Sequence, residues 1–243
     1  MNQDQEALKP DVLAARAAPV LFVLLWSTGF IGTKYVLNNA DPLTYLAIRM
    51  AVVVGLMAVI VAIARPKWPD RIGLAHSAVA GILVHGFYLG GTAIAIAHSI
   101  PAGLSALIPG LQPILTSTIA NRWLGERVTA VQWGGLVLGL GGVLMILHNR
   151  PMTGEAGLGW LASVVSLISI TLGTLYQRRY CNQIDWRAGN LVQYVSVTVF
   201  FTIGAFLFED RVVHWTREFV LALGWLAVAL SICLLYTSPS PRD

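Results

Sequence analysis

Charge is scarce in this sequence. Of its 243 residues only 12% are Asp, Glu, Lys or Arg, while 56% are hydrophobic and the mean hydropathy is +0.69. A soluble domain covers itself with about 25% charged residues, so a water-exposed globule is excluded and a polytopic membrane protein is indicated. Cysteine is nearly absent. Cys181 and Cys233 form no CxxC pair, which removes a disulfide framework or a zinc centre from consideration. The marks of an intramembrane enzyme are missing too. There is no HExxH and no pair of intramembrane aspartates, and Gly103-Leu104-Ser105-Ala106-Leu107 lacks the second glycine of a GxSxG elbow. The first apolar run has no short apolar stretch followed by a small-residue cleavage site, so it is expected to stay as a membrane helix.

What is abundant is long apolar runs. A helix crosses about 30 Å of hydrocarbon with roughly 20 residues. Runs of that kind occur at 18–37, 43–64, 74–98, 101–122, 129–147, 157–177, 189–208 and 217–235. The expected fold is therefore all-α with eight spans. Connector charge orients it through the positive-inside bias. With the N-terminal segment 1–16 in the cytoplasm, the inner connectors carry Lys9, Arg16, Arg65, Lys67, Arg71, Arg122, Arg127, Arg178, Arg179 and Arg187, against Arg150, Arg211 and Arg217 outside. This distribution explains the pI near 9.3 without a nucleic-acid partner, because the charges are spread over alternate loops rather than gathered in one patch.

The chain also echoes itself. Gly32-Thr33-Lys34-Tyr35 ends the first span and Gly173-Thr174-Leu175-Tyr176 ends the sixth. Asp41 or Asp185 follows, and eight residues later a long polar side chain, Arg49 or Gln193. The loop after the first copy has no Lys or Arg, and the loop after the second has three. An odd number of helices per unit repeats upside down, and that charge contrast is what inversion requires. Five helices per unit predicts ten, of which eight are present. The final stretch, residues 233–243, resembles a one-frame translation of a transposase-type sequencing adapter, with a native Pro/Ser tail as the alternative. On this reading the native chain is truncated within its eighth span and is expected not to transport in this form.

From Ile100 onward the motifs become specific. Ile100-Pro101-Ala102-Gly103 opens a span and Leu111-Gln112-Pro113-Ile114 lies in its middle. Trp123-Leu124-Gly125-Glu126-Arg127-Val128-Thr129 and Gln132-Trp133-Gly134-Gly135 follow. This order resembles the EamA-type permeases of the drug/metabolite transporter superfamily, as do Trp26 in the first span and Arg49 early in the second. The resemblance implies a first repeat at 17–148, a partial second repeat at 157–232, and a ten-helix inverted-repeat (5+5) fold in a bacterial-type inner membrane. It further implies a secondary transporter that moves a small metabolite or drug-like solute, often outward, by alternating access. Its surroundings would be the lipid bilayer and a small-molecule substrate, with no cofactor or metal; oligomeric state is left open. A helical scaffold without transport and an intramembrane enzyme are the alternatives.

The same residues carry physical expectations of their own. Pro109 and Pro113 each remove a backbone donor inside a span, freeing carbonyls that lipid cannot satisfy. Such a helix either lines a polar cavity with Gln112, Thr116 and Ser117, or is a kink packed against neighbours. Glu126 after Gly125 can meet the N-terminal amides of the next helix, a structural cap. Gly86-x-x-x-Gly90 and Gly135-x-x-x-Gly139 offer small faces for close helix contact. Lys34 is within snorkelling reach of the interface. Arg49, about 10 Å deep at 1.5 Å per residue, is either a structural partner or a cavity charge for a substrate carboxylate. His85, with Tyr88 close by, is a deep group able to carry a proton near neutral pH, or a satisfied core histidine. Trp26, Ser27 and Thr28 either wall the cavity or pack.

Overall fold

Aspartate, threonine and proline punctuate the apolar runs. Pro42 stands at the first turn of its helix, where a missing N–H costs nothing. Asp70, Asp185 and Thr216 each precede a helix and accept from a backbone N–H of its first turn, those of Gly73, Arg187 and Phe219. The structure, a computed structural model, describes residues 9–113, 115–116, 118–119, 129–147 and 155–233.

Eight helices are described. They are α1 (Lys9–Leu37), α2 (Pro42–Ala64), α3 (Arg71–Ala97), α4 (Ala102–Leu107, tightening to a 3₁₀ turn at Pro109–Leu111) and α5 (Ala130–Leu147). In the second half come α6 (Glu155–Tyr180), α7 (Trp186–Phe208) and α8 (Arg217–Trp225, continuing as a π-helical stretch to Cys233). The chain is an all-α polytopic membrane protein; α2, α3, α7 and residues Gly157–Tyr180 of α6 are each long and apolar enough to cross a bilayer. α1 starts at Lys9, well before the expected span at 18, so part of segment 1–16 is already helical. The adapter-like stretch beyond Cys233 lies outside the described residues.

The core is an antiparallel pairing of α2 and α7. On α2, Tyr45, Arg49, Val53, Met57 and Val61 recur every fourth residue and are buried, as are Tyr194, Val197, Phe201 and Ala205 on α7. The opposite face of α2 exposes Val52, Leu56, Val59 and Ile63, which in a bilayer meet lipid. Leu43 at the start of α2 touches Gly204 near the end of α7, which fixes the antiparallel direction.

The two halves use matching devices. α3 carries a π-helical stretch at Ile82–Phe87 and α8 one at Leu226–Cys233. Gly173 of α6 packs on Leu83 and Val84 of the first, and Gly32 of α1 packs on Leu226 of the second. Thus the glycine of each GT echo lies against the partner half's π-stretch. Helices in matching positions that run in opposite directions are the geometry of inverted repeats.

Two expectations on glycine separate here. Gly86 and Gly90 meet Phe200 and Phe201 of α7, a packed face. A Cβ on Gly134 or Gly135 would meet nothing within 4 Å, so among the described residues Gly135 makes no close helix contact. The reason is position: α5 is peripheral, with Val131, Leu138 and Met145 exposed. Gly139's surroundings, Gly125 and Glu126 with its expected cap, and the side chain of Gln132 lie outside the described residues. Pro101, which opens α4, and Trp133 are exposed at the surface. Lys34 is exposed one turn from the end of α1, within snorkelling reach.

Candidate functional site

A cavity of about 450 Å³ sits between α1, α2, α3, α6 and α7, and Leu230 of α8 closes part of its rim. That volume is in the range of small-ligand sites, about 300–1,000 Å³. Of the side chains singled out in the sequence, Trp26, Arg49, His85 and Tyr88 line it. Each arrives by helix register. Trp26 is about two turns before Thr33 on α1, Arg49 is one turn after Tyr45 on α2, and His85 falls within the π-stretch of α3. The extra residue per turn there shifts the face that follows it.

Arg49 is the one formally charged side chain among the described lining residues, and only 5% of it is accessible. Tyr45, one turn before it on α2, donates its hydroxyl to Thr33 Oγ1 at 3.3 Å. Tyr88 and Tyr194 stand near the same charge. Trp26 and Tyr88 share this wall, and the His85 ring lies 4.9 Å from that of Tyr194. The result is an aromatic box with one cation and several hydroxyls. Such a box can hold a flat or apolar body by its rings and an anionic group by the guanidinium, whose planar fork suits a carboxylate.

Three expected cavity residues are placed elsewhere. Thr28 lies on the seam with α8, where its hydroxyl donates to Leu25 O at 2.6 Å and accepts from Trp225 Nε1 at 2.9 Å. It does not line the cavity, because the helical turn that aims Trp26 inward carries Thr28 about 200° round the axis. Gln112 and Thr116 sit one layer behind the wall. Gln112 Nε2 donates to Thr116 Oγ1 and to Thr174 Oγ1, both at 3.3 Å, and Thr174 faces the cavity. The 3₁₀ turn at Pro109–Leu111 brings this layer close to α6, and Pro113 itself is exposed.

The sequence reading missed Thr92, Tyr194, and Thr33 with Thr174 as lining groups; it also missed Tyr45, buried one turn from Arg49 behind that wall. Tyr45 had a signal, since it precedes Arg49 by one turn on the same face. So did Thr33 and Thr174, the hydroxyl residues of the GT echo, which the fold brings to one cavity. No group of His, Cys, Asp and Glu suited to a metal is present among the described residues.

Residues 15–148 match the EamA-like transporter family. The chain belongs to that family. It is a membrane transporter of the drug/metabolite type. This EamA protein is 29% identical over 224 residues to the uncharacterized transporter YvbV of Bacillus subtilis, covering 84% of this chain and 70% of that one. It is 26% identical to the probable amino-acid metabolite efflux pump of Escherichia coli K12, over 66% of this chain and 52% of the relative. It is also 21% identical to the uncharacterized inner membrane transporter YedA of the same strain, over 86% of this chain and 68% of that one. A crystal structure with 19% identity superposes with a TM-score of 0.62 over 90% of this chain and 77% of the other. That likeness concerns the fold. With it, an eight-helix polytopic architecture is the frame for this EamA cavity.

Proposed function

We propose that this EamA protein exports a small amphipathic metabolite bearing an anionic group, by alternating access about the Arg49 cavity. One observation carries the reading: a buried guanidinium on the wall of a cavity whose other described lining residues are neutral rings, hydroxyls and aliphatics. A charge held at that depth is costly and normally serves a pathway or a partner. Here Tyr45, Tyr88 and Tyr194 stand near it, and the other described lining residues are neutral. The matching devices of the two halves support a rocking of one repeat against the other. The printed name of one relative, an efflux pump, supports the outward direction, and the connector charge count supports a cytoplasmic N-terminus.

Counterflow in proteoliposomes, with the protein extended to the ten helices the sequence predicts, tests this. Amino acids and other carboxylated solutes of cavity size are expected to exchange, whereas the matching decarboxylated amines are expected not to. Exchange that ignores the carboxylate would remove the anion from the proposal. No counterflow with any solute would favour a helical scaffold.

A further inference from the structure

The N-terminus of α2 is capped from the other half of the molecule. Asp41 occupies the N-cap position but makes no side-chain cap bond. Instead the carboxylate of Glu209, the residue that ends α7, accepts from the backbone N–H groups of Leu43 and Thr44, both at 2.7 Å, and from the Thr44 hydroxyl at 2.8 Å. Those amides are among the four that a helix start leaves without internal partners, and a carboxylate is the favoured occupant at the positive end of the helix dipole. The same edge is stitched further. Ala40 and Val213 form an isolated antiparallel bridge, His214 N–H donates to Asn39 O at 2.8 Å, and Thr216 Oγ1 donates to Asn39 Oδ1 at 3.2 Å. Arg211, with φ of 62°, folds its side chain back onto the carbonyls of Phe206 and Glu209, both at 3.1 Å, and so sets the turn that presents Glu209.

Among the described residues the opposite end shows no such clasp. There α7 is capped locally by Asp185. The residue that ends α2 is Arg65, whose backbone N–H closes onto Val61 O and whose side chain is exposed. Between these connections lies an open hollow of about 540 Å³ lined by Lys67, Trp68, His76, Tyr180 and Ile184 among others. Among the described residues, the two halves are therefore joined by a carboxylate at one end only.

We propose that Glu209 is the releasable latch of one gate of the carrier: bound to the α2 N-terminus it holds that end shut, and it must let go when the cavity opens there. The inference rests on the carrier reading above. The step exchanges hydrogen bonds between α2 and solvent and involves no covalent change.

The test is a cysteine pair, Ala40→Cys with Val213→Cys, in a protein with Cys181→Ser and Cys233→Ser. Residues opposite each other in an antiparallel bridge stand about 4.5–5.5 Å apart at Cα, inside the range a disulfide spans. Oxidation is expected to link the pair and stop counterflow, and reductant to restore it. Glu209→Gln is expected to slow linking several-fold, and Thr44→Val, which removes the hydroxyl alone, to slow it less. Equal linking rates with and without the Glu209 carboxylate, or undiminished counterflow by the linked protein, would overturn the latch. If no sample shows counterflow before oxidation, the carrier reading falls. The latch is then judged on the rates alone, dependence on Glu209 upholding it and independence overturning it.

Discussion

A Cβ placed on Gly81 would lie 2.7 Å from Cα of Gln193, so α3 and α7 cross at this glycine with no room for a methyl group. The obstruction is backbone and cannot swing aside. Gly81→Ala is expected to lower stability by about 1–3 kcal/mol, the usual cost of overpacking. Gly55→Ala is the control, since nothing lies within 4 Å of that site. It is expected to leave stability unchanged or raise it by up to about 1 kcal/mol through helix propensity. Thermal unfolding in detergent, followed by size-exclusion fluorescence, distinguishes the two.

Arg49 is expected to set substrate affinity. A hydrogen bond to a charged group contributes about 1.5–3 kcal/mol, and each 1.4 kcal/mol is about tenfold in affinity. Arg49→Met should therefore weaken uptake of a carboxylated solute by tenfold or more in proteoliposomes. Arg49→Lys should recover only part, because an ammonium lacks the planar fork. Equal transport by Arg49→Met and the parent would show that the guanidinium serves packing alone.

Gln112 and Thr174 should act as one unit. Gln112→Leu and Thr174→Val each remove the same 3.3 Å bond, so the double variant is expected to transport no worse than the poorer single one. Additive losses in a double-mutant cycle would mean that the two residues work independently.

Ser166 ties α6 to α3. Its hydroxyl is wholly buried and donates to Tyr88 O at 2.9 Å, with Thr92 Oγ1 also 2.9 Å away. Interhelical hydrogen bonds in membranes contribute about 0.6 kcal/mol on average, with a maximum near 1.7. Ser166→Ala is expected to cost about 1 kcal/mol in detergent unfolding, and Ser166→Gly somewhat more.

Cys181 lies just past α6, half-buried, and burial holds its thiol above the ordinary range. The thiolate is the reactive form. Maleimide alkylation at pH 7–8 should consequently be slower than for a free thiol in water, and should still be climbing above pH 9.

Much of the fold was legible because the bilayer imposes it. Long uncharged runs have no stable alternative to spanning helices, so the helices could be located from the sequence, four of those described being long and apolar enough to span, and Pro42, Asp70 and Asp185 mark helix starts by local chemistry. Trp26, Arg49, His85 and Tyr88 were singled out for polarity or bulk at membrane depth and now share a cavity wall. Thr28 shows the limit, since its polarity gave no hint that it faces Trp225 of α8.

What the sequence by itself determined is what local chemistry and solvent determine: helix positions, the membrane setting, the family motifs and the GT echo. Only the tertiary structure decided which faces meet. Glu209 reads as an ordinary loop carboxylate, and its role exists because the α2–α7 pairing brings it to an N-terminus 165 residues earlier in the chain. The π-stretches are equally invisible in the sequence, because no residue there forces them. They arise where Gly32 and Gly173 let a neighbouring helix press close. Contacts of that kind depend on two surfaces at once, and no local window of the chain contains both.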